Sequence, residues 1–142
     1  MSTVGRPMEI LLIEDNLMAA KLAAQAVRSQ EFMHHLTWMN DGQDAMTFLL
    51  REDRYARAPL PDLVLLDLNL PGMQGIDILR RMRVEPGLAK VPVVVMTADS
   101  VTAPESSFGD LQVEGFLTKP FKANEFQELL IALRGHWRTG ML

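Results

Sequence analysis

The chain has 142 residues, enough for one domain with a substantial core, and 48% of them are hydrophobic, which excludes disorder of the whole. Its 18 acids against 14 bases give a net charge of −4, a poor match for nucleic acid bound through a net positive field. There is no cysteine, so disulfides, thiolate catalysis and cysteine zinc sites are excluded.

Met1 to Pro7 is short and polar and lacks the apolar core of a signal peptide. No apolar stretch reaches the length of a bilayer span. A cytoplasmic protein is expected, with neither a nucleic-acid nor a membrane partner. Met8 to Ile13 reads as a buried strand closed by Glu14-Asp15, and Asn16 can cap the helix that follows. On that helix Ala19, Leu22, Ala23 and Ala26 recur at helical spacing. His35 to Met39 is a second strand, with Asn40-Asp41-Gly42 as a turn and Ala45, Phe48 and Leu49 as one face of a second helix. A charged stretch from Arg51 to Arg57 and Ala58-Pro59-Leu60-Pro61 form a surface loop.

Asp62 to Asp67 then runs almost without polar alternation, as a strand covered on both faces does. Leu70-Pro71-Gly72 forbids its continuation. Ile76, Leu79 and Met82 space a third helix, stopped by Glu85-Pro86-Gly87. Val91 to Met96 is another apolar, β-branched run and ends on Thr97. Pro104 can open a fourth helix from about Glu105 to Leu111, which Gly109 makes short or irregular. Gly115 to Thr118 is a fifth strand, followed by Lys119-Pro120. Phe126, Leu129, Leu130 and Leu133 mark an amphipathic fifth helix, which Gly135 begins to end.

Five alternations of strand and helix favour a doubly wound parallel sheet, in which ligands bind at the carboxyl ends of the strands. Asp15, Asp67, Thr97 and Lys119 all fall at or just past such ends. Carboxylates gathered at one rim repel one another unless a cation sits among them, and oxygen ligands at a partly hydrated site suit Mg²⁺. Lys119 adds positive charge and Thr97 a hydroxyl donor. Together these groups describe a phosphoryl-transfer site with Asp67 as the acceptor.

The residues that carry this reading are Glu14-Asp15, Asp67 with Leu70-Pro71-Gly72 and Gly75, Thr97-Ala98, and Lys119-Pro120. In that order and placement they resemble the receiver domain of two-component response regulators, over about Met8 to Leu133. The resemblance implies a flavodoxin-like α/β fold: a five-stranded parallel sheet in the order 2-1-3-4-5 with five helices. On that view residues 1–142 form one receiver domain with a core of about 8–134 and short tails. It implies Mg²⁺ held by the side chains of Asp15 and Asp67 and the backbone carbonyl of Asn69, with Glu14 acting through water. It implies a cis Lys119-Pro120 bond and a switch in which Thr97 moves inward and Phe116 changes rotamer. Phe116 has no hydroxyl where many relatives have tyrosine, so a read-out through a phenol is not expected. Asn69 and Asp99, two residues beyond the acceptor and the threonine, should flank the path of hydrolytic water and tune dephosphorylation.

The long loop before the Asp67 strand and the Glu85-Pro86-Gly87 insertion are similar to single-domain regulators that accompany phytochrome-type sensor kinases. The expected partner is therefore a sensor histidine kinase. Output is expected through a downstream phosphotransfer or effector protein, or a homodimer built on the fifth helix and C-terminal region, and no DNA-binding output domain is expected. The protein is not expected to be an enzyme beyond promoting its own phosphorylation and dephosphorylation. The alternative is an interaction module on the same fold that does not use phosphorylation. A flavin or nucleotide site is disfavoured, because no Gly-rich loop follows the first strand. His34, His35 and His136 are expected at surface or edge positions, since neighbours on a strand point to opposite faces. Trp137 either marks an interface or packs back on its own domain.

Overall fold

The two apolar runs that end on Asp67 and Thr97 are the middle and flanking strands of one parallel sheet. The computed structural model describes residues 6–98 and 111–137. Its strands are β1 (Met8–Ile13), β2 (His34–Met39), β3 (Leu63–Asp67), β4 (Val93–Thr97) and β5 (Gly115–Thr118), in the order β2-β1-β3-β4-β5. Every pairing is parallel; Leu12 lies beside Trp38 on one side and Leu65 on the other. All carboxyl ends therefore share one rim.

The four helices among the described residues are α1 (Leu17–Arg28), α2 (Gly42–Leu49), α3 (Gly75–Val84) and α4 (Ala123–Leu133). Five were expected; the short fourth one, with Pro104 and Gly109, lies outside the described residues, so α4 is the helix expected as the fifth. The second strand begins at His34 rather than His35.

Alternation along the strands makes two cores. Leu11, Ile13, Val64, Leu66 and Val95 pack with α2 and α3. Ile10, Leu12, Leu65, Val94 and Met96 pack with α1 and α4. The buried stripe of α1 is Ala20, Ala23, Ala26 and Val27: Ala23 and Ala26 are buried as the spacing predicts, whereas Ala20 and Val27 take the places expected for Ala19 and Leu22. The inner face carries mostly small side chains, and Leu17, Met18 and Leu22 are left on the outside. Asn16 caps α1, its Oδ1 accepting from the Ala19 N–H at 2.9 Å, and Asp41 caps α2 through the N–H groups of Gln43 and Asp44. On α4, Phe126, Leu130 and Leu133 are buried as the spacing requires.

A short 3-10 turn (Arg134–His136) follows α4, and Trp137 folds back. It is half-buried against the α1/α4 core, and its indole donates to the Asp62 carbonyl at 2.8 Å. Asp62 also accepts a forked bond from Arg6 and a bond from the Glu9 N–H. Of the two readings of Trp137, the structure shows the packing one. His35 is exposed and paired with Glu9, His34 contacts the Phe32 carbonyl, and His136 is exposed. No helix among the described residues is long and apolar enough to cross a membrane.

Candidate phosphoryl-transfer site

The rim formed by the ends of β1, β3, β4 and β5 gathers the polar residues that the sequence placed at strand ends. Asp67, the last residue of β3, is 4% exposed, and Glu14, just past β1, is 1% exposed. Asp15 projects into solvent. One carboxylate oxygen from each of these three lies within 4.8 Å of the others. Lys119 reaches into the cluster from the end of β5. Its Nζ is 2.7 Å from Glu14 Oε1 and 3.4 Å from Asp67 Oδ1.

Backbone groups fix these side chains. The Asn69 N–H donates to Asp67 Oδ1 at 3.3 Å, and the Asn16 N–H donates to Glu14 Oε2 at 3.2 Å. The Lys119 N–H donates to the Thr97 carbonyl at 2.6 Å, tying the end of β5 to the end of β4. The Lys119-Pro120 bond is cis. Thr97 is half-buried at the rim, and Phe116 is half-buried against the α2/α3 core. Asp99 lies outside the described residues.

The turn after Asp67 depends on two glycines. Gly72 has φ of +76°, a conformation side chains disfavour. Gly75 starts α3 directly beneath the acceptor strand: a Cβ there would lie 2.6 Å from the Asp67 carbonyl oxygen and 2.7 Å from Leu68 Cα. Both are backbone atoms and cannot swing aside. Gly75→Ala should therefore push α3 away from the end of β3 and destabilise the protein by about 1–3 kcal/mol. The loss is read by urea unfolding, with a parallel drop in Mg²⁺ affinity because Asp67 moves with its carbonyl.

Burial raises the Glu14 carboxyl above the usual range; Lys119 opposes this, and Asp67 reinforces it. Burial disfavours the Lys119 ammonium, but Glu14 and Asp67 together outweigh that and hold it above the usual lysine range. Three carboxylates face one ammonium, and the donors near one another are all oxygen. That composition fits a hard divalent cation such as Mg²⁺ at a site with one open, solvated side.

Sequence reasoning missed two features here. It gave Glu14 a water-mediated part and did not foresee its ion pair with Lys119. It also gave Trp38 no part, yet the Trp38 indole donates to the Glu14 carbonyl at 2.7 Å. Trp38 lies on β2, but nothing in the sequence pattern identifies the acceptor of its indole.

A parallel β2-β1-β3-β4-β5 sheet with an acidic pair, a buried aspartate, a threonine and a lysine at its carboxyl rim is the arrangement expected of a receiver domain. The chain matches the family described as the response regulator receiver domain over residues 10–131, and it belongs to that family. It is 31% identical to the response regulator Rcp1 of Synechocystis over 131 residues, covering 92% of this chain and 89% of Rcp1. The crystal structure of the Mn²⁺-bound form of Rcp1 superposes with a TM-score of 0.76 at 30% identity, over 96% of this chain and 98% of that one. The phosphorylated cyanobacterial phytochrome response regulator RcpA gives 0.76 at 31% identity, over 92% and 94% of the two chains. The bacteriophytochrome response regulator AtBRR gives 0.83 at 27% identity, over 94% and 96%.

Proposed function

We propose that this receiver accepts a phosphoryl group on Asp67 from the histidine of a sensor kinase. The observation that carries this reading is Lys119 Nζ standing between the buried carboxylates of Glu14 and Asp67. An Asp67 oxygen forms the new O–P bond in line as the N–P bond of the donor phosphohistidine breaks, and the imidazole leaves with the electron pair. Lys119 turns toward the arriving phosphoryl oxygens as a point charge, and the Thr97 hydroxyl donates to one of them. The side chains of Asp15 and Asp67 and the Asn69 carbonyl would hold Mg²⁺, with Glu14 bonded through water. When bound, the ion offsets negative charge shared by acceptor and phosphoryl group.

Thr97 and Phe116 carry the switch: the hydroxyl is drawn inward and the ring follows into the space it vacates. The added charge of about two units shifts an existing equilibrium between two conformations. Asn69 and Asp99 set how fast water removes the group. The protein is a signalling domain rather than an enzyme with a separate substrate, and it works in the cytoplasm. The phytochrome regulators RcpA and AtBRR support a phytochrome-type kinase as the donor. The signal leaves through a phosphotransfer or effector protein, or by pairing of two copies along α4, where Ile131 is half exposed.

The test is labelling by acetyl phosphate with and without Mg²⁺. Wild type should label only with the ion, and Asp67→Asn should not label at all. Equal labelling of Asp67→Asn would remove Asp67 from this role. Unchanged partner affinity on phosphorylation would favour the phosphorylation-independent alternative.

A further inference from the structure

Trp38 is the penultimate residue of β2, the outer strand next to β1, and is 41% exposed. A large ring at an edge gains little from burial there. Its single polar atom, however, is committed: Nε1–H donates to the Glu14 carbonyl at 2.7 Å. In a parallel ladder the N–H and C=O of one residue point toward the same neighbouring strand. The Glu14 N–H obeys this and donates to the Met39 carbonyl at 3.0 Å. But β2 ends at Met39, so the strand does not run on to meet the Glu14 carbonyl, and the indole meets it instead.

That carbonyl belongs to the peptide unit joining Glu14 to Asp15. The unit is planar, so fixing its C=O fixes the direction in which the chain enters Asp15. The Glu14 side chain is held from the other side by Lys119 and the Asn16 N–H. Asp15, whose own side chain is exposed, still brings an oxygen within 4.8 Å of Asp67 and Glu14. We infer that Trp38 is a positioning residue for the cation site, its indole holding the Glu14–Asp15 peptide unit at the angle that aims the Asp15 carboxylate at Asp67. The inference rests on the reading of this cluster as a Mg²⁺ site, and it adds a residue from β2 to a rim otherwise built from β1, β3, β4 and β5.

Two measurements with Mg²⁺ alone test it. Trp137→Phe leaves Trp38 as the single tryptophan of the chain, which has two. Its emission should change saturably on Mg²⁺ titration, with the same midpoint that calorimetry gives. Trp38→Phe keeps a ring and deletes the N–H; losing one hydrogen bond of ordinary strength should weaken Mg²⁺ binding about five-fold. If wild type binds Mg²⁺ while Trp38→Phe binds it equally well, the positioning role is overturned and the cation site stands. A fall in melting temperature in EDTA with unchanged Mg²⁺ affinity overturns it too, by showing a purely structural bond. If Trp38→Phe does not fold, emission decides: a flat signal through calorimetric saturation refutes the coupling. If wild type binds no Mg²⁺, the cation site itself fails, and this inference with it.

Discussion

Replacing Lys119 by methionine should cost about 3 kcal/mol of stability in EDTA, measured by urea unfolding. Glu14 is 1% exposed and its charge is balanced chiefly by Lys119, whose side chain is 19% exposed. Removing the lysine strands that carboxylate beside Asp67, and the stranded charge costs more than the pair contributes. Saturating Mg²⁺ should restore more stability to the variant than it adds to wild type, because the uncompensated carboxylates gain most from a cation. Phosphoryl transfer should fall about 100-fold, as when one preorganised charge donor is lost from a transition state. A variant as stable as wild type in EDTA would show that Glu14 is already protonated in the folded protein.

The pH dependence follows with a definite sign. Burial, reinforced by Asp67, raises the Glu14 carboxyl, and Lys119 is the main group pulling it down. An acid raised on folding keeps its proton in the folded state at pH values where the unfolded chain has lost it. The stability of the fold therefore declines as pH rises from the ordinary glutamate range through the folded value. Without Lys119 the folded value moves further up. The deficit of Lys119→Met relative to wild type should be smaller at pH 5 than at pH 8.

The second large effect lies at the opposite end of the sheet. Arg83, in the last turn of α3, pairs with Glu114 at 2.9 Å, and both side chains are buried, at 10% and 6% exposure. The guanidinium also donates to the carbonyls of Ala89, Val91 and Gln112, while Glu114 accepts from the Val93 N–H at the start of β4. One fork of hydrogen bonds thus joins α3, the approach to β4 and the approach to β5. Arg83→Met should destabilise by about 3–5 kcal/mol and lower the melting temperature by roughly 10 °C. Below that temperature the labelling of Asp67 should be unaffected. The double variant Arg83→Met/Glu114→Leu should recover much of the loss, because no charge is then left buried alone. Failure to recover would place the cost in the three orphaned carbonyls and the orphaned Val93 N–H instead.

What the sequence revealed about the site follows a physical line. Asp67, Thr97 and Lys119 were legible because each terminates an apolar run, and parallel topology sends such ends to one rim. The strand order itself came from resemblance, since alternation alone does not say which strand lies beside which. Contacts that depend on side-chain reach across strands were not legible. Glu14 and Lys119 are 105 residues apart, Arg83 and Glu114 are 31 apart, and neither pair has a periodicity that announces it. On α1 the spacing named Ala23 and Ala26 correctly but chose Ala19 and Leu22 where Ala20 and Val27 are buried, because alanines recur on two of its faces and the pattern alone does not say which is inside. Leu22, the larger residue, was the natural choice for the core and is instead 39% exposed.

Asp62 holds Arg6 with its carboxylate and Trp137 with its carbonyl, so the first and last described residues meet at the amino end of β3, at the far side of the sheet from Asp67. A short peptide joining Arg6 to Trp137 would therefore not have to cross the acidic rim. The same geometry means that a tether attached at Arg6 or at Trp137 leaves from one point, with the acidic face turned outward to whatever docks there.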